Sequence, residues 1–373
     1  MDIEIKEVSS RKDLREFVFF PEKVHKNHPN WMPPLYSEDF KLFDAKKNPS
    51  FEHCDTRLLM AFRDGKMVGR IMGIIHHKHN GLFNLKNVRF GYLECYEDEV
   101  VFNTLLKEIM DWGRAKGMNK IIGPYGFSDK DVQGFQIAGF DDEPVIDSAN
   151  NWPYMIDFME RAGFVKEADC FTCEYDLGHP EKEERYKPIL QRILDRPGYE
   201  FLEFTSIKPI KKYIVDVFNL VNESFGNIYG FVPMDQKEID SLVKQYLPII
   251  DPRFVKLILH EKKLVGFLVA LPRFTKGIQK AKGRLFPFGF IHILRSMKKA
   301  TKVDLMLGAV HPKYQGKGLD LFLSMGIIQS GRKYGIKYVD THLVLDGNDS
   351  MESEMVRFGA KEVKRYRVYQ KQL

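Results

Sequence analysis

The hydrophobic pattern changes period many times along the chain, and each change marks an element. Ile3 and Ile5 alternate with polar neighbours, the period of a half-buried strand. Residues 11–27 carry apolar positions at helical spacing, and a loop with Pro29, Pro33 and Pro34 follows. Arg57–Phe62 and Val68–Ile75 are apolar runs joined by Arg63-Asp64-Gly65-Lys66, and an Asp-Gly turn between such runs predicts a hairpin. Further runs predict a strand over 88–96, a helix over 98–116 and a strand over 120–123. A Gly-rich loop over 126–139, a helix over 151–162 and a strand over 168–175 complete the first half.

A charged cluster, Glu181 to Arg185, and a helical stretch over 188–196 then interrupt the pattern, after which the same order returns. A strand over 199–204 and a helix over 211–225 precede a second hairpin, 254–259 and 264–270. Then come a strand over 304–310, a helix over 321–334, a strand over 338–345, a helix over 350–358 and a strand over 365–370. Gly113-Arg-Ala-Lys-Gly117 ends the long helix of the first half and Gly331-Arg-Lys-Tyr-Gly335 that of the second. Both place glycine where a helix C-terminus needs a left-handed residue. A repeat this long means tandem domains. The expected boundaries are 1–178 and 179–373, with a linker helix at about 179–197.

Between strand and helix of the second half lies Val310-His311-Pro312-Lys313-Tyr314-Gln315-Gly316-Lys317-Gly318-Leu319-Asp320. Glycines allow close backbone approach, and the first amides of the next helix lack intrahelical partners and favour negative charge. The stretch reads either as a phosphate cradle with Lys317 as a mobile cation, or as a turn that uses glycine for geometry alone. A dinucleotide fingerprint is excluded because Leu321 stands where its third glycine belongs. A P-loop is excluded because Gly318 is followed by Leu319.

This segment resembles the acyl-CoA loop of the GNAT acyltransferase superfamily, Gln/Arg-x-x-Gly-x-Gly/Ala after a strand ending Val-x-Pro. Only its last position, Asp320, departs. Each half resembles a GNAT domain, and the whole chain resembles a bacterial group of tandem GNAT-like proteins, with runs such as Asn48-Pro-Ser-Phe-Glu-His53 and Gly123-Pro124. The resemblance implies an α/β (mixed α+β) fold class. Each of two tandem domains would be a mixed, mostly antiparallel sheet with a splayed central strand, flanked by helices. It implies acetyl-CoA, or another acyl-CoA, as co-substrate and a small-molecule or peptide amine as acceptor. Backbone groups at Ala309 and Val310 would hold the pantetheine arm, and Gln315, Gly316, Lys317, Gly318 and Leu319 the pyrophosphate. Asn348 reads equally as a contact to the arm or as an N-cap. Asp304 and His342 are the placements for a base, or else partnered strand residues. Met355 stands seven residues after Asn348, where the family commonly has an acidic tyrosine hydroxyl, and a thioether cannot protonate a thiolate. A non-catalytic acyl-CoA sensor therefore remains the alternative to an N-acyltransferase. In the first half the matching segment, Cys95-Tyr-Glu-Asp-Glu-Val100, has no glycine and three carboxylates. Its domain is expected to have lost the cofactor loop and to shape the acceptor site or a homodimer.

Composition adds limits. A net charge of +6 on 373 residues is mild and does not by itself point to nucleic acid, which would call for a dense basic patch. No apolar run approaches the roughly 20 residues of a membrane helix. Cys54, Cys95, Cys170 and Cys173 lack a disulfide-framework spacing, which suggests a reducing cytoplasm. Cys170-Phe-Thr-Cys173 sits in a strand-like run and reads as structural thiols. His76-His77-Lys78-His79 reads as a hairpin-end loop and not a metal site. From Arg273 to Lys302 there are nine Lys/Arg and no Asp or Glu around an aromatic centre, Leu285 to Leu294. This insertion reads as an extra packed helix, as a segment for an anionic membrane surface serving a longer-chain acyltransferase, or as the lining of an acidic or lipid-like acceptor site.

Overall fold

A computed structural model describes residues 2–226 and 228–373. The chain divides into two compact units that are not contiguous in sequence. The first takes in the stretch up to Phe171, Thr275–Arg295 and Lys364–Leu373; the second takes in Thr172–Phe274 and Ser296–Val363.

The first unit opens with β1 (Glu4–Glu7) and α1 (Arg11–Val24), followed by α2 (Tyr36–Leu42), β2 (Cys54–Arg63), β3 (Lys66–His76) and α3 (His77–Leu82). Then come β4 (Asn87–Cys95), α4 (Glu99–Ala115), β5 (Lys120–Gly123), β6 (Phe135–Ala138), α5 (Tyr154–Arg161) and the start of β7 (Val165–Asp176). Strands β1 to β4 form an antiparallel meander, and β5 runs parallel to β4. The last strand of the chain, Lys361–Gln372, adds to β5 with Tyr369 opposite Gly123. Along β2, Leu58 and Met60 pack in one cluster with Phe17 and Phe20 of α1. Leu59 and Ala61 pack in the other with Leu105 and Ile109 of α4. Burial on both faces explains why β2 and β3 read as nearly continuous apolar runs. Helix α4 lies close on the sheet because β3 offers bare backbone beneath it: a Cβ at Gly73 would stand 2.7 Å from Ile109. Segment Thr275–Arg295, which holds α10 (Thr275–Ala281) and most of α11 (Gly289–Lys298), belongs to this unit. Gln279 donates to the Trp31 carbonyl at 3.1 Å, the Tyr36 amide donates to the Gly283 carbonyl at 3.1 Å, and Arg284 forks onto Glu22.

In the second unit α6 (Lys187–Leu194) precedes β8 (Tyr199–Glu203), α7 (Ile207–Ile210), α8 (Ile214–Ser224) and α9 (Gln236–Tyr246). Strands β9 (Val255–His260), β10 (Lys263–Pro272) and β11 (Lys302–Val310) continue the antiparallel run from β8. After α12 (Leu319–Lys333), β12 (Tyr338–Thr341) lies parallel to β11 and antiparallel to residues 174–176 of β7. Last come β13 (Val344–Leu345), α13 (Asp349–Phe358) and β14, the closing strand already described. Helix α12 buries Leu319, Leu321, Leu323, Met325, Ile327 and Ile328, more than one face, as a helix enclosed by neighbours must.

Several elements differ from the sequence expectation. The strand expected over 338–345 breaks at His342-Leu343 into β12 and β13. Strand β6 lies inside the Gly-rich loop, and α9 had not been anticipated, although Asp235 and Glu238 form a capping box at its start. The histidine run forms helix α3, not a loop, because the His76 ring caps it by accepting from the His79 amide at 3.3 Å. Cys170 and Cys173 are buried in β7 and no disulfide joins them.

Candidate functional site

Strand β11 pairs with β10 along its length, but Val269 faces Leu307 while Ala270 faces Leu305, so Met306 is one residue too many. Such a bulge bends and twists the strand. Next to it the partnership with β12 ends. Parallel pairing covers Lys302–Leu305, and the His342 amide makes one more bond to the Leu305 carbonyl at 3.0 Å. From Leu305 to Val310 every residue is half-exposed, although β11 lies inside its sheet. The wedge between β11 and the end of β12 thus offers a strand edge to an extended, amide-bearing chain, which can add to it by backbone hydrogen bonds.

The wedge leads to the loop before α12. Gly316 (φ 71°) and Gly318 (φ 82°) are both left-handed, and Gly318 is the N-cap of α12 with no side chain capping the helix. The amides of the first turn are therefore free of a side-chain cap. A Cβ at Gly318 would stand 3.0 Å from Ile193. Gln315 Nε2 donates to the Val310 carbonyl at 3.1 Å and ties the loop back to β11. The Lys317 ammonium lies 4.7 Å from the centre of the Tyr314 ring, and Arg196 donates to the Lys317 carbonyl at 2.8 Å. Arg196 was missed in the sequence, and no local signal marks it, since it lies 121 residues from its partner. An anion held by these amides, Lys317 and Arg196 has the donors a pyrophosphate requires.

Asp304 does not face this end. Its side chain is buried with Asp340 around Arg273, whose Nε reaches Asp304 at 3.0 and 3.2 Å and whose Nη2 bridges Asp304 and Asp340. Burial opposes the Arg273 charge, but the two carboxylates outweigh it and raise its pKa; burial pushes the Asp340 carboxyl up while Arg273 pulls it back. A carboxylate held in this way pins β10, β11 and β12 together at the root of the wedge. His342, half-buried, sits where β11 and β12 part. Asn348 is the N-cap of α13, accepting from the Met351 amide at 3.3 Å. Met355 is buried on the same helix. Glu354, also buried, is bonded by Ser324 of α12; burial raises its pKa and Asp320 adds to the rise. The structure therefore gathers Ala309, Val310 and Gln315 to Leu319 at one end of β11, His342 at the opening, and Asp304 in the interior.

The first unit repeats the wedge but closes the helix end. Strand β4 carries a bulge beside Tyr92 (φ 53°), and its parallel pairing to β5 covers only Asn87–Arg89. At the N-terminus of α4 the Asp98 carboxylate accepts from the Val101 amide at 3.2 Å and pairs with Arg63. A chain carboxylate stands where the second unit leaves its amides uncapped. Behind β4, buried His25 bonds Glu94 at 2.8 Å and stacks on Trp31. Burial works against the Glu94 charge, but His25 and Arg70 hold its carboxyl below the usual range.

No family model matches the chain. Over its whole length and 98% of the other protein's, it is 27% identical to the bacterial ceramide synthase of Caulobacter vibrioides (strain NA1000 / CB15N). It is 25% identical to Protein YghO of Escherichia coli (strain K12), over 98% of this chain and 94% of that one. Among solved structures it is similar to a tandem GNAT protein from the clavulanic acid biosynthesis pathway, with a TM-score of 0.56 at 12% identity, covering 100% of this chain and 98% of that one. The chain has the tandem GNAT fold. In GNAT terms the two units are two copies of one wedge-and-helix design, of which the second keeps a bare helix end and the first caps its own.

Proposed function

We propose that this protein is an acyl-CoA-dependent N-acyltransferase with its acyl-CoA site on the second unit. The observation that carries the reading is the uncapped N-terminus of α12 at left-handed Gly318, next to the open edge of bulged β11. The pantetheine amides would pair with Met306 to Val310, and the pyrophosphate would lie on the amides after Gly318, near Lys317 and Arg196. An amine nitrogen attacks the thioester carbonyl, the C–N bond forms, the C–S bond breaks, and the proton lost by the amine returns to the thiolate. In this reading His342, at the mouth of the wedge, relays that proton. Much of the rate comes from holding amine and thioester together.

The relative named a ceramide synthase favours a long acyl chain and a long-chain amino alcohol over acetyl transfer to a small amine. This extends the relative's name to a chain 27% identical to it. The test is calorimetric titration of acetyl-CoA and palmitoyl-CoA into wild type and Gly318→Glu, beside a free-thiol assay with long-chain and short amines. Saturable binding lost in Gly318→Glu, with thiol release that needs the long-chain amine, is the expected result. Absence of binding by either acyl-CoA would overturn the assignment.

A second reading, acyl-CoA binding without turnover, draws on Met355 and on the Asp320 and Glu354 carboxylates beside α12. Binding with no thiol release to any amine would favour it.

A further inference from the structure

Apolar side chains scattered singly on a surface are ordinary, whereas a contiguous cluster of large ones marks an interaction site. Four occur within nine residues of the segment Thr275–Arg295: Phe286 is 82% exposed, Phe288 68%, Phe290 43% and Leu294 58%. Spacing explains the arrangement. In α11, Gly289 and Ile293 are four apart and buried, while Phe290 and Leu294 are four apart and point outward; Phe286 lies four before Phe290, with ring centres 6.3 Å apart. The underside of the segment is fastened to its own unit. Gln279 bonds Trp31, Gly283 bonds Tyr36, and Arg284 forks onto Glu22. The outward aromatic side chains thus stand on a fixed platform.

Charge selects what covers them. Lys276, Lys280, Lys282 and Arg295 are exposed in the same segment as the apolar cluster, and residues 273–302 contain no Asp or Glu. A second copy docking by two-fold symmetry would set this cationic segment against itself. An anionic bilayer surface instead offers phosphates to the cations and an acyl boundary to the rings. Among the described residues no helix is long and apolar enough to cross a membrane, so the contact is to one face of the bilayer.

We propose that Phe286, Phe288, Phe290 and Leu294, with the basic side chains of their segment, form a docking surface for anionic membranes. The surface is independent of the acyl-CoA reading, because it lies wholly on the first unit. The experiment is sedimentation of the full chain with vesicles of phosphatidylcholine alone and of phosphatidylcholine mixed with phosphatidylglycerol. Wild type, Phe286→Ser/Phe288→Ser, Lys276→Glu/Lys280→Glu/Lys282→Glu and Gly318→Glu are compared, each checked by circular dichroism and analytical ultracentrifugation. The substituted docking residues are exposed, so their fold is retained. Wild type and Gly318→Glu are expected to pellet with the anionic vesicles and far less with the neutral ones. Each docking variant is expected to lose roughly tenfold or more in partitioning. Wild type remaining in solution with anionic vesicles, or docking variants that partition as it does, would overturn the proposal. So would a dimer that the phenylalanine variant splits without any vesicle binding, since the patch would then join two copies of the chain.

Discussion

Arg273→Met is the substitution whose effect follows most directly from the structure. The guanidinium is 4% exposed, the Asp304 and Asp340 side chains are each 3% exposed, and it touches both. Its removal leaves two buried carboxylates facing each other with no cation. Breaking one buried pair costs about 3–5 kcal/mol, and here one cation serves two acids, so the upper end is expected. Against a domain stability of roughly 5–15 kcal/mol, that is a large share. The cost has a defined pH dependence. Burial already raises the Asp340 carboxyl and Arg273 pulls it back, so without Arg273 it lies further above its unfolded value and the folded state binds its proton more tightly. Such a group is harmless below the unfolded pKa, and stability falls as pH rises towards the folded value. The deficit should therefore be larger at pH 8 than at pH 5. Urea unfolding followed by circular dichroism at both values measures it. The triple variant Arg273→Met/Asp304→Asn/Asp340→Asn, which removes the charges together, should recover most of the loss. A deficit below about 1 kcal/mol at pH 8, or one that does not change with pH, would mean that the carboxylates are effectively solvated and the reasoning wrong.

Other expectations can be checked separately. Gly316→Ala meets no atom within 4 Å, so it should cost only the left-handed backbone penalty of about 1–2 kcal/mol, read as a shift in thermal midpoint; a larger loss would indicate a contact the geometry does not contain. Asn348→Ala should cost about 1 kcal/mol as a lost cap, while Asn348→Asp keeps the cap. If Asn348 also meets the pantetheine arm, both variants weaken acyl-CoA binding in calorimetry, whereas a cap alone spares Asn348→Asp. Burial, chiefly, lowers the pKa of His28 to about 4, of His76 to about 3 and of His79 to about 4. The unfolded chain then takes up protons first, so these rings should destabilise the protein as pH falls from about 6.5 towards 4. Ring titrations by NMR with midpoints near 6.5 would contradict this.

What was legible in the sequence was what local chemistry dictates. Asp64-Gly65 announced the first hairpin, Gly316 and Gly318 the turn before α12, and Gly117 and Gly335 the left-handed ends of α4 and α12. Asn348 could be read two ways because a cap and a ligand contact use the same amide side chain; the geometry displays the cap. What escaped was long-range. Arg273 looks like one of nine basic residues in an insertion, yet it is a buried bridge, and only strand register brings Asp304 beside Asp340. Arg196 gave no signal because its partner is a backbone carbonyl in a distant loop. The bulge at Met306 was equally hidden, since nothing about an extra residue in an apolar run shows which neighbour it lacks.

The first unit takes in residues 364–373, and Tyr369, 1% exposed, shares a core with Ile121 and Phe164. Its hydrophobic interior therefore stays open on the ribosome until every residue of the second unit has been translated. The nascent first unit must wait with one inner strand missing and an unsatisfied edge on β5, while the later unit can begin to fold before the earlier one is finished. Recombinant residues 1–171 alone would inherit that permanent vacancy. Supplying the tail as a separate peptide, or fusing it ahead of β1 by circular permutation, would restore that strand but not Thr275–Arg295, the unit's other late segment.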